Sequence, residues 1–404
     1  MTPFGPTRDD TIRGAMNFIQ TSKHGMRIEK GTPQLITSGM DQALPYMITN
    51  TFAFKSKEDG KVVKKTDNYM ILKYKSGEMD FVDLRDNIQK NSNGGFFTSI
   101  KLDTKLKQGS SFKANEILAY DKLSFSDEIG DGNNIAYILG AFKKLAILST
   151  SEAFEDSAII SEQLSKDLAS DVIFCVDVLL PKNTNVLSMV EKGQKIQEGE
   201  PLIIYQNAFD DADVNALLKT LTDDEGTNIT DLGRISVKSK VTGVVQDIKI
   251  YKTVPDDQLS DSLRKQVKKI EKPNQEMLKD MKNFNLKDMS KYDNTQVLDA
   301  TGKLKNAADS VYVEFYLSYH DKMSVGDKLI YFSALKGVVQ DIFHEGDEPY
   351  TDFRPDEPVD SLLTIASLNS RMTTSILVNG GINKVLVELD RTIKDMVDLP
   401  HTKL

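Results

Sequence analysis

Asp321–Val339 reads D-K-M-S-V-G-D-K-L-I-Y-F-S-A-L-K-G-V-V, and the rest of the chain is interpreted from it. Ahead of it, V-Y-V-E-F-Y-L-S-Y (Val311–Tyr319) alternates apolar and polar residues, the pattern of a half-buried strand. Gly326-Asp327 supplies a turn, and Val338-Val339 open a second apolar run. Lys328 and Lys336 therefore flank an apolar link, each beside a glycine or a turn. Two readings fit. A lysine in a lysine-rich chain is ordinarily a solvated surface cation. A lysine pair held on a strand-turn scaffold is also suited to grip a phosphate backbone, where the ammonium acts as a point charge. Spacing alone does not choose between them.

Length and composition set the bounds. At 404 residues the chain has room for two or three domains. Its 39% apolar and 27% charged content is that of a folded globular protein and excludes wholesale disorder. One cysteine, Cys175, excludes an internal disulfide framework and fits a reducing compartment. The start of the chain shows no basic region followed by an apolar one, and no run of 18 apolar residues occurs, so a soluble, cytoplasmic protein is expected. A net charge of −9 argues against a free-standing nucleic-acid binder but leaves room for a small basic site on an acidic body. The four histidines lie in no Cys/His cluster, which makes a structural zinc site an unsuitable reading.

Taken in order, Thr11–Met26 places Ile12, Met16 and Ile19 at helical spacing, predicting a helix closed by Gly25 with Arg13 at one end and Lys23-His24 at the other. Cations at a helix C-terminus also simply complement its dipole. From Thr49 to Leu118 short alternating runs (68–75, 96–102, 117–119) are separated by Glu58-Asp59-Gly60, Ser76-Gly77 and Asn93-Gly94-Gly95, a mostly β pattern. Glu155-Asp156 stand between a strand and an apolar run; by themselves they are solvated turn acids. Val190–Tyr205 and Ser239–Tyr251 read as strand-turn-strand pairs. Between them Asp211–Leu221 sets Val214, Leu217, Leu218 and Leu221 on one helical face, with Asp211 as N-cap. Leu259, Leu263, Val267 and Ile270 continue as an amphipathic helix stopped near Pro273. A polar, Lys/Asp/Asn-rich connector then runs to Asp309.

Several of these stretches resemble the β subunit of multisubunit DNA-dependent RNA polymerases. G-D-K, seven residues, K-G-V resembles that family's G-D-K-x-x-x-R-H-G-N-K-G-V, although Phe332-Ser333-Ala334-Leu335 stand where the family has R-H-G-N. F-E-D-S-A-I-I-S-E-Q-L (Phe154–Leu164) follows F-E-D-A-I-x-I-S-E-R-L almost residue for residue. Arg13, and less directly Lys23-His24, resemble the segment R-x-x-M…(R/K)-Q-A. Leu106–Ala119 resembles a strand pair ahead of the catalytic segment, and Asp171–Ile250 resembles the flap. G-D-E-P-Y, P-V-D-S-L-L and N-S-R-M, the last containing Arg371, resemble E-D-M-P-(Y/F), P-V-D-I-V-L and P-S-R-M. The motifs fall in the family's order across roughly residues 11–380.

The resemblance implies an α+β, mostly β-rich multi-domain fold: a double-psi-type barrel active-site domain, a flap with barrel-sandwich character, and helical insertions. The implied divisions are a helical active-site segment (1–48), a β-rich domain ending in FEDSAIISE (49–170), a flap-like domain (171–272), a connector (273–309) and a GDK/SRM barrel domain (310–404). It also implies roles. Lys328 and Lys336 face the RNA 3′ end; Glu155 and Asp156 lie near a second Mg2+ and the incoming nucleotide. Arg13 and Arg371, with Lys23 and His24, meet the NTP phosphates. The β′ sequence N-A-D-F-D-G-D, which holds the catalytic magnesium, is absent here, so a β′-like subunit is expected to supply the primary Mg2+ site. The N-terminal half of an ordinary β subunit and its G-G-x-x-Q-F-G-G-Q-R-x-G-E-M-E end are missing too. The chain thus resembles one piece of the split β subunit of giant (jumbo) bacteriophage polymerases, with an N-terminal β-like chain, a promoter-specificity factor, DNA template, RNA and NTPs as partners, and no membrane. Two other readings stand beside it. One is a non-catalytic β-fold scaffold, favoured by the lost R-H-G-N. The other is a barrel-sandwich carrier module, which needs an exposed hairpin lysine flanked by Met or Ala that neither 190–205 nor 239–251 offers.

Overall fold

The computed structural model describes residues 11–20, 25–90, 97–128, 131–206, 234–286, 309–332, 335–370 and 374–397. Its helices are α1 (Thr11–Ile19), α2 (Met40–Met47), α3 (Glu162–Asp167), α4 (Asp261–Asn283), α5 (Ile365–Asn369) and α6 (Thr374–Met396). Strands outnumber them and form six sheets among the described residues, so the chain is α+β and mostly β. The helix expected over Thr11–Met26 is seen as α1, and Gly25–Ile28 is not helical. The expected helix 211–221 and most of the connector lie outside the described residues.

The largest sheet has six strands, all antiparallel, in the order Lys195–Ile196, Gly243–Lys252, Ser310–Asp321, Ser170–Pro181, Phe97–Ile100, Asn87–Lys90. Its spine is Ser310–Asp321, paired along its whole length with Ser170–Pro181, from Ser170 opposite Asp321 to Pro181 opposite Ser310. Side chains alternate faces along a strand. Val311, Val313, Phe315 and Leu317 accordingly enter one core with Leu180, Leu202, Ile203, Ile250 and Leu263. The half-buried expectation for this strand is corrected on its second face. Tyr312 and Tyr316 are buried there as well. The Tyr312 hydroxyl donates to Asp177 (2.7 Å), that of Tyr316 donates to Glu314 (2.7 Å), and Phe97 meets the Tyr316 ring edge-on at 5.7 Å. Satisfied hydroxyls let tyrosines read as a polar face while packing as an apolar one. The neighbouring strand must begin without a side chain: a Cβ on Gly243 would sit 2.1 Å from the Ser318 carbonyl oxygen.

Ser111–Phe112 and Ile117–Asp121 are strands as expected but do not pair with each other. The first joins Gly60–Lys65 and the second lies between Ala53–Lys55 and Leu102–Asp103.

Helix α4 departs most from the sequence reading, because it runs through Pro273 to Asn283. An interior proline removes one backbone hydrogen bond and costs roughly 3 kcal/mol. Packing at both ends offsets this. Ser260 caps the start by accepting from the Leu263 N–H, and Leu263 and Val267 enter the core of the spine strand. Past the proline, Met277 and Met281 pack on Tyr69 and Ile71 of a separate four-stranded sheet, and Asp280 accepts from Lys64 (2.5 Å) and the Tyr69 hydroxyl. A single rod of 23 residues, about 35 Å long, thus joins two cores.

The third architectural unit is a mixed five-stranded sheet: Leu145–Ile147, Ser361–Leu363, Ser157–Ser161, Leu335–Phe343, Lys328–Tyr331. Ser157–Ser161 runs parallel to Leu335–Phe343, and Leu145–Ile147 parallel to Ser361–Leu363. Strands from either side of the 170–321 excursion therefore share one sheet.

Met277→Ala should cost about 2–5 kcal/mol, as a buried large-to-small change does. Hydrogen exchange should then rise in Tyr69–Tyr74 before it rises in Ser310–Asp321. Simultaneous loss in both strands would mean that α4 does not join two separable cores.

Candidate functional site

The lysine pair sits on a hairpin that begins where the turn chemistry demands. Gly326 has φ +96°, the left-handed conformation that glycine adopts without strain. Asp327 Oδ2 accepts from the Ser324 N–H at 2.8 Å, and the Gly326 N–H donates to the Val339 carbonyl at 2.8 Å. Strand Lys328–Tyr331 then pairs antiparallel with Leu335–Phe343, Lys328 opposite Val338 and Ile330 opposite Lys336. Directly opposed residues share a face, as do residues two apart. Lys328 and Lys336 consequently project from the same face of the hairpin, diagonal neighbours across it. Both are exposed, and neither side chain forms an ion pair or hydrogen bond among the described residues.

The opposite face is anchored. Tyr331 and Leu335 are buried with Ala158, Leu363 and Ile376. The Tyr331 hydroxyl meets Ser361 Oγ at 2.5 Å, and Ser361 Oγ donates on to the Ile159 carbonyl at 3.1 Å. Burial pushes the Tyr331 phenol up to about 12, so it remains a neutral partner. Asp360 of the P-V-D-S-L-L motif accepts from the Lys144 N–H at 2.7 Å, and its own carbonyl accepts from Ser161. That motif serves the sheet.

The acid pair meets the hairpin through its backbone. The Asp156 carbonyl accepts from the Val338 N–H at 2.8 Å, and Ser157 lies opposite Val338 in the parallel ladder. Asp156 takes φ +60° and its N–H donates to Ser367 Oγ at 2.9 Å, a hydroxyl fully buried at the start of α5. Glu155 is exposed in the same turn, Asp156 is half-buried, and Phe154 beside them is 80% exposed. Of the eight residues singled out by sequence, four lie on adjoining segments: Lys328 and Lys336 on the hairpin, and Glu155 and Asp156 in the turn whose backbone bonds to it. Arg13 lies in α1, with its side chain outside what the structure describes; Lys23, His24 and Arg371 lie outside the described residues.

A cavity of about 1120 Å³ opens beside the hairpin, lined by Lys328, Tyr331, Phe332, Lys143, Arg354 and, from α1, Asn17. Its wall is held by a residue that no motif marked. Asp167, at the end of α3, accepts from Lys30 (2.8 Å), Lys143 (2.6 Å) and Gln163 (2.9 Å). Burial raises its carboxyl, but the hydrogen bonds from Lys143 and Lys30 outweigh this and hold it below the ordinary range. Lys30 and Asp167 are 137 residues apart, so no local pattern could have paired them.

For a magnesium ion, two adjacent carboxylates are suitable hard oxygen ligands, since Mg2+ is commonly held by one or two carboxylates plus substrate phosphates. Glu155 and Asp156 belong to no cluster of three ligand side chains among the described residues, so by themselves they do not complete a metal site. The one such cluster is Glu29, Asp171 and His320, all exposed. There burial, reinforced by the neighbouring Asp171, raises the Glu29 carboxyl.

With this geometry in place, comparison with known proteins is informative. The family model described as RNA polymerase Rpb2, domain 6, matches residues 148–396, from just ahead of the acid turn to the end of α6. The match covers well over half of the chain, and the chain belongs to this family. It is a β-type subunit of a multisubunit DNA-directed RNA polymerase and sits in that assembly with other subunits. No curated protein matches the chain. None of its helices in the described residues is long and apolar enough to cross a membrane.

Asp167→Asn should destabilise the protein by about 1–3 kcal/mol at neutral pH, the cost of weakening charged hydrogen bonds. A depressed carboxylate contributes stability above its unfolded value, near 4, and loses it as pH falls through the lower folded value. The gap between wild type and variant, read from urea midpoints, should therefore close below about pH 4. A gap that stays constant down to pH 3 would remove the ionised Asp167 from this account.

Proposed function

We propose that this chain is the C-terminal portion of a β-like subunit, one piece of a split β of the giant-phage kind, and that it contributes phosphate contacts to nucleotidyl transfer. The observation that carries this reading is the lysine pair: two exposed cations without an ion-pair partner among the described residues, on one face of a hairpin, beside an acid turn hydrogen-bonded to the same strand. An ammonium with three donors on a flexible stem follows a phosphate whose geometry changes, while the anchored strand limits how far it strays. In this reading Lys328 and Lys336 neutralise the RNA 3′-end phosphates. Glu155 and Asp156 would hold the second magnesium indirectly, and Arg13, Arg371, Lys23 and His24 would meet the NTP phosphates. Magnesium, when bound, stabilises charge developing on the attacking and leaving oxygens. Its primary site would be on a β′-like chain, so this subunit alone would be inert. The flap-like region would guide exiting RNA and dock a promoter-specificity factor.

A second reading has its own observation. Beside the hairpin tip Leu335 is fully buried and Phe332, at φ +47° and partly exposed, lies near Gly380 of α6, so apolar residues stand at both ends of the stretch matched to the family's R-H-G-N. That suits a scaffold subunit without chemistry.

Lys336→Ala in the assembled polymerase separates the two. Loss of a charged hydrogen bond worth about 1.5–3 kcal/mol should slow extension of a primed RNA by roughly one to two orders of magnitude. Lys336→Arg should rescue part of this, and Lys268→Ala, an exposed lysine of α4, should change nothing. Equal rates for Lys336→Ala and Lys268→Ala would leave the scaffold reading standing.

A further inference from the structure

Helix α6 is apolar on two opposite faces. One faces the protein: Ile376 and Val387 are buried, Gly380 lies against Phe332, and Arg391 reaches Glu357 at 2.8 Å. The other carries Val378, Ile382, Val385, Leu389, Ile393 and Met396, exposed by 38–79%. Their spacings of four, three, four, four and three residues keep them in one narrow stripe. The stripe runs the length of the helix, about 27 Å at 1.5 Å per residue. No other described part of the chain covers it.

An uncovered apolar stripe of roughly 300 Å² is comparable to the largest patch on an ordinary monomer, a patch that is often functional, and its form restricts the occupant. Spacing near 3.5 residues presents knobs that fit holes between the side chains of another helix, whereas a strand offers alternation every two residues. A membrane surface would call for a basic rim. Here the helix carries three acids (Glu388, Asp390, Asp395) against three bases (Lys384, Arg391, Lys394), on a chain of net charge −9. A second copy of the chain also fits poorly. A strip about 27 Å long and about 10 Å wide buries on the order of 600 Å² over both helices, well below the roughly 1,200 Å² of a stable two-chain interface. The contact suits a partner that is already held in the assembly by other surfaces.

We propose that the outer face of α6 is a subunit contact, covered in the assembled polymerase by an amphipathic helix of another subunit bearing its own apolar heptad seam. This rests on membership of a multisubunit polymerase and is independent of the lysine site. The matched family span ends with this helix, at residue 396.

The test uses the full chain co-assembled with the other subunits of its polymerase. With a photoreactive benzophenone side chain at position 385, irradiation should give a cross-link to a helical segment of another subunit, mapped by mass spectrometry. The double variant Val385→Lys/Leu389→Lys should weaken association with that same subunit by more than about tenfold. Both side chains being exposed, the isolated variant should melt within about 2 °C of wild type. A cross-link to a second copy, to this chain itself or to nucleic acid would overturn the proposal. So would no cross-link, or unchanged assembly of the double variant. If the variant melts lower, the cross-link alone decides. RNA extension is not the readout, so Lys336→Ala can behave like wild type without affecting this outcome.

Discussion

The ladder between Ser170–Pro181 and Ser310–Asp321 is the constraint on which the rest depends. The chain leaves the mixed sheet after α3 and returns to it at Lys328, and the pairing of Ser170 with Asp321 closes that excursion at its base. Just outside the pair, Ser165 Oγ donates to the Met323 carbonyl at 2.6 Å, and the Met323 N–H donates to the Ser165 carbonyl at 3.2 Å. Closing a loop of this length costs entropy that grows only slowly with its size. Twelve residues of continuous register, with valine, phenylalanine and leucine side chains filling a core beneath, offset it. Because the base is closed, the strand after the acid turn and the strand carrying Lys336 lie side by side in parallel.

The lysine hairpin has a structural claim on its charges as well as a functional one. Lys328–Tyr331 is an edge strand of the mixed sheet, and charged side chains on edges deter unwanted strand pairing. That need would be met by one lysine on either face. Only Lys328 lies on that edge strand; Lys336, on the next strand inward and on the same face, is not explained by it. Paired and unpaired lysines both occur among the described residues: Lys30, Lys143 and Lys144 engage carboxylates, whereas Lys61, Lys73 and Lys268, like the hairpin pair, do not. Two exposed ammonium groups on one face of the hairpin are what support the proposal that it meets an anion brought from outside.

Long-range ties of two kinds hold the site's surroundings. Asp167 gathers Lys30 and Lys143 by charge, and α4 couples two cores by burying two side chains on each side of a proline. Helix α6 is moored by Glu357 and Glu388, which engage Lys144, Arg354 and Arg391. These exposed or half-exposed pairs contribute little stability individually and serve chiefly to orient the helix.

What the sequence determined by itself was local. The Gly326-Asp327 turn, the alternating strands on either side of it and the predominance of β structure follow from backbone preferences and a two-residue period, which act over a few neighbours. The motif order carried the family assignment for the same reason: short stretches kept their residues. Tertiary structure decided everything that depends on residues meeting across the chain. Whether Lys328 and Lys336 share a face was set by hairpin register, and register by which residues Tyr331 and Leu335 could bury against Ala158 and Leu363. Pro273 stops a helix when only local terms act, and here packing at Leu263, Val267, Met277 and Met281 outweighs the lost hydrogen bond. The tyrosines of Val311–Tyr319 looked half-polar until Asp177 and Glu314 took up their hydroxyls. Asp167 had no signature at all, since its partners Lys30 and Lys143 are distant in the sequence and meet it only in the folded chain. Local chemistry has a range of a few residues, and this site is assembled from groups more than a hundred apart.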